Sequence, residues 1–237
     1  MTSSFLKDRI ALVTGASRGF GFACAGAMGA AGAHVIALAR TVGSLEELDD
    51  KISATGGNTT LTPLDIRDDP GLERLGSAIH ERWGRIDLWL HTAIHAAPLQ
   101  PAEHIDTKEL DQTLATNIRA FQRLIRVIDP LLRLSTHPIA LIAADDPSGA
   151  KFHGTYTAAK AAQSALTRAW SAESGARITI AEIVPPPMPT ALRARFHPGE
   201  DRAPLTPIED AATRLMARLK LGDIANGDRV ILQRPSS

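Results

Sequence analysis

Short apolar runs alternate along the chain with longer segments of helical periodicity. The apolar runs fall at residues 10–13, 35–39, 61–64, 86–90, 139–143 and 178–184, and a further short one lies around 229–233. Their length and near-continuous apolar character predict strands that are buried on both faces. Helix-compatible patterns cover residues 21–31, 45–54, 71–83, 108–134 and 155–174. Strands that alternate with helices in this way predict a parallel sheet with right-handed crossovers and helices on both faces.

The 237 residues suit one domain that is large enough to bury a sizeable core. No linker, repeat or low-complexity tract divides the chain. The proline-rich residues 185–189 and the stretch that follows to Pro207 predict a loop with a short helix rather than a domain boundary. We therefore expect a single α/β domain over residues 1–237 with a doubly wound parallel sheet.

Charge and cysteine content narrow the class of protein. Lysine plus arginine equals aspartate plus glutamate, 26 each, so nothing favours a nucleic acid or an anionic membrane as partner. The single cysteine, Cys24, excludes an internal disulfide, and it is interpreted as a core residue. No apolar run approaches the roughly 20 residues of a membrane span, and the first ten residues do not resemble a secretory signal. We expect a soluble, cytoplasmic protein without a metal site.

A glycine-rich turn follows the first predicted strand and opens the first predicted helix. It reads Thr14-Gly15-Ala16-Ser17-Arg18-Gly19-Phe20-Gly21. Glycines at such a junction allow a tight turn and the close approach of a pyrophosphate to the backbone. Free N–H groups at the start of the helix then face the phosphates. The position of these glycines favours a dinucleotide site, and the alternative is a glycine-rich turn that holds no ligand.

The residues after the second and third strands bear on which dinucleotide binds. An NAD site usually has an acid after the second strand, but here the strand ends in Arg40, and Arg18 lies in the glycine turn. Two guanidinium groups favour a ribose 2′-phosphate, so NADP is the preferred cofactor, with NAD possible. The alternative is that Arg40 is only a solvated residue. Asp65 can accept a hydrogen bond from an adenine amino group, or it can cap the helix that begins near Pro70.

Tyr156, the only tyrosine in the chain, stands four residues before Lys160. On a helix these two side chains share a face. A nearby ammonium lowers the pKa of a phenol, so the pair can exchange a proton with a substrate oxygen while a hydride moves at carbon. The alternative is a chance pair of half-exposed helix residues.

Together these motifs resemble the short-chain dehydrogenase/reductase family. The resemblance rests on Thr14-Gly15-x-x-x-Gly19-x-Gly21, Tyr156-x-x-x-Lys160, Trp83-Gly84-Arg85-Ile86-Asp87, Asn117 and residues 183–190. It implies a Rossmann fold, a catalytic set of Tyr156, Lys160 and Asn117, and a relay water supported by Asn117. It also implies that Thr190 contacts the nicotinamide carboxamide, that the backbone of residues 183–184 lies nearby, and that the cofactor is held by Gly15, Ser17, Arg18, Gly19, Phe20, Gly21, Arg40, Asp65, Ile66, Thr92, Ala93, Tyr156, Lys160, Pro185, Met188 and Thr190.

The resemblance further implies a homodimer or homotetramer in which the helices at 108–134 and 155–174 pack across two-fold axes. The small and apolar positions of the second helix fit close helix approach, and they fit internal packing equally well. These positions are Ala158, Ala162, Ala165, Leu166 and Ala169.

The sequence departs from the family pattern at the site of its catalytic serine. About 13 residues before the tyrosine this chain reads Leu141-Ile142-Ala143-Ala144-Asp145-Asp146, with no hydroxyl. Losing a pre-placed donor of this kind typically costs about 100- to 1000-fold in rate. Ser148 and Asp145 are the candidates to replace the serine, and the alternative for Ser148 is an ordinary residue of the turn after the strand.

Two further departures lie beside the expected active site. The family's Asn-Asn-Ala-Gly stretch here reads His91-Thr92-Ala93-Ile94, which places His91 and His95 near the site as candidate acids. The alternative is that each histidine satisfies a backbone group at the strand end. His153 lies near the start of the Tyr156 helix and is a candidate pocket residue. Pro186 replaces the family's usual glycine and stiffens the loop beside the nicotinamide.

Two functions remain open at this point. The first is an NADP-dependent oxidoreductase that acts on a carbonyl or secondary alcohol with Tyr156 as acid/base, with residues 192–196 and 197–207 as a substrate lid. The second is a non-catalytic NADP-binding sensor, a hypothesis that the absence of the catalytic serine supports. The retained tyrosine–lysine pair favours the enzyme.

Overall fold

The computed structural model describes residues 4–145 and 149–232, and it contains one seven-stranded sheet in which all neighbouring strands are parallel. The strand order is β3-β2-β1-β4-β5-β6-β7. The strands are β1 Ile10–Thr14, β2 His34–Ala39, β3 Asn58–Pro63, β4 Leu88–His91, β5 Ile139–Ala143, β6 Thr179–Val184 and β7 Arg229–Ile231. The predicted fold class is confirmed. Ser148 and Gln233 lie outside the described residues.

Eight α-helices cover the two faces of the sheet in the described ranges. They are α1 Gly19–Ala30, α2 Val42–Ser53, α3 Asp69–Trp83, α4 Thr107–Leu114, α5 Ala120–Leu132, α6 Gly154–Ser174, α7 Ala191–Phe196 and α8 Ile208–Leu221. One apolar core lies under α1, α2 and α8, and the other lies under α3, α5 and α6. Cys24 is fully buried in the first core, as its interpretation as a packing residue requires. The order of the strands reverses between β1 and β4, so ligand binding is expected at the carboxyl ends of those strands.

The predicted long helix at 108–134 is wrong in one respect, because a π turn interrupts it. α4 ends at Leu114, the π turn spans Ala115–Arg119, and α5 follows. A π turn inserts one extra residue per turn and is frequent at functional sites. It carries Asn117, which is buried. Apolar periodicity alone does not reveal such an interruption, since the pattern continues on both sides.

α8 has no counterpart among the predicted elements. Its apolar residues recur at helical spacing from Ile208 to Leu219, with Ala211, Ala212, Leu215 and Met216 buried, so the sequence did carry a signal for this helix. α8 packs against α1 and closes the first core. β3 begins three residues before its predicted start because polar Asn58 and two threonines occupy this edge strand, and edge positions need not be apolar. No helix in the described part of the chain is long and apolar enough to cross a bilayer.

Asp87 joins β1 to β4 at the amino ends of these strands. Its carboxylate is 3% exposed, and it accepts hydrogen bonds from the Ile10 backbone N–H at 2.8 Å, from the Ser135 hydroxyl and from Arg85 Nε at 3.0 Å. Burial raises the pKa of Asp87, but these hydrogen bonds and the charge of Arg85 outweigh burial and lower the pKa overall. The ionised carboxylate is therefore the form that the fold stabilises.

We expect Asp87→Ala to lower the free energy of unfolding by about 1–3 kcal/mol, because it leaves buried donors without an acceptor. Since the pKa of Asp87 is depressed in the folded state, this contribution is present above the ordinary carboxyl pKa and is lost as the pH falls through the folded value. Urea unfolding across a pH series measures both effects. The matched control is Asp50→Ala, at an exposed carboxylate on α2. Equal losses in the two variants, or a difference that grows towards acid pH, would contradict the expectation.

Candidate active site

The glycine turn lies against the end of β4, where it forms a narrow cradle. Gly15 has a φ of +89°, and a Cβ on it would lie 2.6 Å from the backbone nitrogen of Ala93. The Thr92 hydroxyl donates to the carbonyl of Thr14 at 3.0 Å, which fixes this approach. On the other side, a Cβ on Gly19 would lie 3.5 Å from Cγ2 of Thr190. The structure therefore brings Gly15, Thr92, Ala93 and Thr190 together around the turn.

The start of α1 fits an anionic group such as a pyrophosphate. Arg18, at the N-cap, makes no side-chain capping hydrogen bond, and the first turn contains no acidic residue. The first N–H groups of a helix have no partner within the helix, and the helix dipole adds positive charge there. Phe20 is buried in the core, so only its backbone is available to a ligand. Glycines that admit no Cβ and an uncapped helix start both suit a dinucleotide.

The ends of β2 and β3 hold a cluster of charged residues that the sequence only partly predicts. Arg40 is exposed, as is Arg18. Asp65 accepts a hydrogen bond from the Arg67 backbone at 2.9 Å and pairs with its guanidinium at 2.6 Å. Hydrogen bonding to Arg67 is the main reason that the pKa of Asp65 is lowered, and the charge of Arg40 adds to it. The suggested capping role of Asp65 is wrong, because Asp68 caps α3 by accepting from the Gly71 N–H at 3.1 Å.

Tyr156 lies on the first turns of α6, and its hydroxyl meets Asp145 at the carboxyl end of β5. The hydroxyl donates to Asp145 Oδ2 at 2.9 Å. The tyrosine is 4% exposed, whereas Asp145 is an exposed residue. Of the residues proposed to replace the missing serine, Asp145 is the one that contacts the hydroxyl in the described ranges. Ala143, 13 residues before the tyrosine, ends β5 and has no polar side chain.

Lys160 lies one helical turn beyond Tyr156 and is 9% exposed. Its Nζ donates to the carbonyl of Ala143 at 2.7 Å and to Gln163 Oε1 at 2.9 Å. Burial lowers the pKa of Lys160 to about 8, against the opposing charges of Asp145 and Glu182. The two candidate catalytic side chains therefore share one buried region at the end of β5, as their spacing predicts.

The expectation that Lys160 lowers the pKa of Tyr156 is wrong for this structure. Burial raises the pKa of the phenol, and the charge of Asp145 and its hydrogen bond raise it further. A carboxylate disfavours a second negative charge on an oxygen in contact with it. The ammonium of Lys160 is bonded to other acceptors instead. Tyr156 is therefore held as a protonated phenol, which is the form of an acid.

Asn117 ties the π turn to the loop after β4. Its Oδ1 accepts from the His95 backbone N–H at 2.7 Å, and its Nδ2 donates to the His95 carbonyl at 2.8 Å. The π turn packs against α6, the helix that carries Tyr156 and Lys160. Both ends of the Asn117 side chain are thus bonded to the backbone of His95. The ring of His95 pairs with Glu109 at 3.0 Å and not with Tyr156.

His91 does not serve as a surrogate acid. It is buried at the end of β4, and its Nδ1 lies 2.7 Å from the Thr14 hydroxyl. Burial, together with the charge of Lys160, lowers the pKa of His91 to about 3, so the ring is neutral at physiological pH. Its Nε2 has no hydrogen-bond partner among the described residues. The alternative of a bonded backbone group is also wrong, since the partner of Nδ1 is a threonine side chain.

The expected lid lies over the tyrosine. α7 ends in Phe196, whose ring packs edge-on against Tyr156, with ring centroids 4.9 Å apart. The same ring contacts His153 at 5.2 Å, so His153 lies beside the site as a packing residue. Arg193 pairs with Glu200 at 2.7 Å and fastens α7 to the segment that follows. Phe196 therefore covers one side of the Tyr156 ring.

The remaining predicted cofactor residues follow the carboxyl ends of β1, β3 and β6. Ser17 is half-buried in the glycine turn, and Pro185 is half-buried after β6. Ile66 and Met188 are buried in the cores, so their side chains pack while their backbone remains close to the cleft. Pro186 is buried as well.

Two site residues, Arg67 and Gln163, were missing from the sequence prediction. Gln163 stands three residues after Lys160 on the same helix, a spacing that brings side chains together. Arg67 lies in the turn two residues after Asp65, where helical spacing gives no signal. Phe196 was included in the lid, but its contact with Tyr156 joins elements 40 residues apart and has no local signature.

Comparisons with known proteins agree with this geometry. A family model described as short chain dehydrogenase matches residues 9–201. A fatty acyl-CoA reductase from Acinetobacter baylyi is 30% identical over 171 residues, which cover 71% of this chain and 58% of that protein. The chain thus spans little more than half the length of that relative.

Two solved structures are similar over nearly the whole chain. A short-chain dehydrogenase from Shigella flexneri complexed with NADP is 26% identical with a TM-score of 0.88, and the match covers 98% of this chain and 100% of that one. A short-chain dehydrogenase from Escherichia coli CFT073 complexed with NADPH is 26% identical with a TM-score of 0.90, covering 98% and 99%. Since the family model covers residues 9–201 and the Acinetobacter relative is 30% identical over 71% of the chain, this chain belongs to the short-chain dehydrogenase/reductase family of oxidoreductases.

Proposed function

We propose that this protein is an NADP-dependent oxidoreductase that interconverts a carbonyl compound and a secondary alcohol. The observation that carries the proposal is the placement of a buried tyrosine–lysine pair at the end of β5, on the same edge of the parallel sheet as the glycine cradle at the end of β1. Bound NADPH supplies the hydride. The protein supplies a proton at the substrate oxygen, a dry environment and orientation.

The residues of the chain divide this work among them. The phenol of Tyr156 is protonated and donates its proton to the substrate oxygen. Lys160, a buried ammonium, stabilises the phenolate that remains, because charges act more strongly in a region of low dielectric. Asn117 anchors the π turn against α6 and thereby fixes the backbone behind Lys160. Phe196 excludes water from the tyrosine when α7 is in place.

The choice of NADP over NAD rests on the positive charge near the end of β2. The exposed guanidinium groups of Arg18 and Arg40 flank the expected position of the ribose, and Asp65 is already paired with Arg67. A carboxylate engaged in this way is a poor acceptor for ribose hydroxyls, whereas a guanidinium suits a 2′-phosphate. The NADP and NADPH bound to the Shigella and E. coli structures support the same cofactor here.

We expect Arg40→Ala to weaken NADPH binding by about 10-fold, because a charge-assisted hydrogen bond is lost. NADH binding should change little, since NADH has no 2′-phosphate. Nucleotide fluorescence titrations of both cofactors measure the two affinities. Arg126→Ala on α5 is a control at another arginine outside the cleft. Equal weakening for NADPH and NADH would contradict a 2′-phosphate role for Arg40.

The alternative, a non-catalytic sensor, was motivated by the missing serine. The contact between Asp145 and the hydroxyl of Tyr156 gives that hydroxyl a polar partner despite the missing serine. A sensor has no need of a protonated phenol beneath a lid. We therefore favour the enzyme.

Consumption of NADPH over a panel of ketones, aldehydes and quinones tests the proposal. We expect turnover of at least one class, faster with NADPH than with NADH. Tight binding of NADPH without turnover of any class would count against an oxidoreductase of carbonyl compounds and for the sensor.

A homo-oligomer also remains part of the proposal. The alanines of α6 that fit either close helix approach or internal packing are exposed or half-buried, which supports contact with another copy. These residues are Ala158, Ala162, Ala165 and Ala169.

A further inference from the structure

The hydroxyl of Tyr156 has an unusual partner for this site. In the family pattern a serine hydroxyl supports the tyrosine, but here the side chain at that position is the methyl group of Ala143. Two residues later, the carboxylate of Asp145 accepts a hydrogen bond from the phenol O–H of Tyr156, with an O–O distance of 2.9 Å. A serine hydroxyl can donate as well as accept, whereas an ionised carboxylate only accepts. The substitution therefore changes the chemistry of the site as well as its shape.

Asp145 is also the point at which the hydroxyl meets solvent. Tyr156 and Lys160 are 4% and 9% exposed, and Phe196 covers the tyrosine ring, whereas Asp145 is exposed. Lys160 is bonded to the Ala143 carbonyl and to Gln163, so its ammonium is not in contact with the hydroxyl. The carboxylate of Asp145 therefore contacts the buried phenol and is itself accessible to water.

We propose that Asp145 is a catalytic residue, which orients the hydroxyl of Tyr156 and returns a proton from solvent to it after each reduction. This role rests on the proposed function. In the first step, the O–H bond of the phenol breaks and an O–H bond forms on the substrate oxygen, leaving a phenolate. In the second step, the ionised carboxylate of Asp145 takes a proton from hydronium or a buffer acid in the solvent. That new O–H bond then breaks as the phenol re-forms, so Asp145 is ionised again and each cycle consumes one solvent proton.

The proton transfer from the carboxyl group to the phenolate runs downhill, because a carboxylic acid is far stronger than a phenol. It needs no relay through buried groups. Asp145 also raises the pKa of Tyr156, so the phenol is protonated again before the next turnover. The charged and titratable groups of the described residues around the pair are Lys160, Glu182, Arg193, His91, His153 and His197.

The single tyrosine of the chain allows a direct test without any substrate. Ultraviolet absorbance of tyrosinate, or the NMR signal of a labelled tyrosine ring carbon, reports on Tyr156 alone. In the Asp145→Asn variant we expect the phenol of Tyr156 to ionise at a pH about one unit or more below that of the wild type, because a neighbouring negative charge is removed. Asp111→Asn, an exposed carboxylate on α4, is the matched control and should leave the titration unchanged. Identical titrations of wild type and Asp145→Asn would overturn the proposal.

Turnover provides the second measurement. We expect Asp145→Ala to lower kcat by about 10- to 100-fold with little change in KM. We expect a similar loss of kcat in Asp145→Asn, because an amide can orient the hydroxyl but is too weak an acid to return a proton to the phenolate. Ala143→Ser in the Asp145→Ala background should recover part of kcat by restoring a hydroxyl.

A shifted titration with unchanged kcat in both variants would overturn the catalytic role. If the wild type binds NADPH and turns over nothing, the proposed function fails, while the tyrosine titration still decides whether Asp145 controls Tyr156.

Discussion

Tyr156→Phe is expected to lower turnover by about 100- to 10,000-fold, because phenylalanine has no proton to give to the substrate oxygen. The ring is retained, so its edge-on contact with Phe196 should persist and the fold should remain intact. NADPH affinity is expected to stay within a few-fold of the wild type. Steady-state kinetics with NADPH and the preferred substrate measure the first effect, and a nucleotide titration measures the second.

The Phe substitution also removes the donor to Asp145. In the Tyr156→Phe background, Asp145→Asn should therefore have no further effect on kcat, because both residues act on the same proton. Full additivity of the two losses would show that Asp145 acts elsewhere. Retention of most of the wild-type rate in Tyr156→Phe alone would remove the tyrosine from the mechanism.

Gly15→Ala is expected to weaken NADPH binding by about 10- to 100-fold and to lower the free energy of unfolding by about 1–3 kcal/mol. The backbone at Gly15 has a φ of +89°, which a residue with a Cβ adopts only with strain. In addition, the new Cβ would lie 2.6 Å from the Ala93 nitrogen, so the glycine turn must move away from β4. Movement of the turn displaces the N–H groups that face the phosphates.

The matched control is Gly43→Ala on α2, where a Cβ would meet nothing within 4 Å. Alanine is favoured over glycine in a helix, so this control should stabilise the fold slightly and leave NADPH affinity unchanged. Chemical denaturation and nucleotide titration of both variants make the comparison. If Gly15→Ala behaves like Gly43→Ala, the cradle at the end of β1 does not hold the cofactor.

Much of the fold was predictable from local pattern. The seven strands were recognised because buried parallel strands are short, apolar and bounded by polar turns. α8 was missed although its apolar residues recur at helical spacing, so a local signal was present there. The π turn at Asn117 was missed because backbone insertion leaves the apolar period nearly unchanged, and that turn depends on packing between distant segments.

The positions of the candidate cofactor and catalytic residues were predictable where a short sequence motif specifies them. The glycine turn and the spacing of Tyr156 and Lys160 locate the chemistry, since each depends on residues close in sequence. The sign of the pKa shift at Tyr156 was not predictable, because it depends on Asp145 at the end of β5 and on burial beneath Phe196. Neither contact is visible in the spacing of a four-residue motif. Electrostatics at a buried site follow from tertiary contacts.

Transfer of deuterium from the cofactor distinguishes hydride transfer by this protein from cofactor binding alone. The wild-type protein is supplied with NADPH that carries deuterium at the transferable position of the nicotinamide, together with the preferred carbonyl compound, and the alcohol is analysed by mass spectrometry. The account predicts an alcohol that carries the deuterium on the former carbonyl carbon, and no such product from Tyr156→Phe under the same conditions. An alcohol without deuterium, or NADPH bound with no labelled product from any carbonyl class, would contradict it.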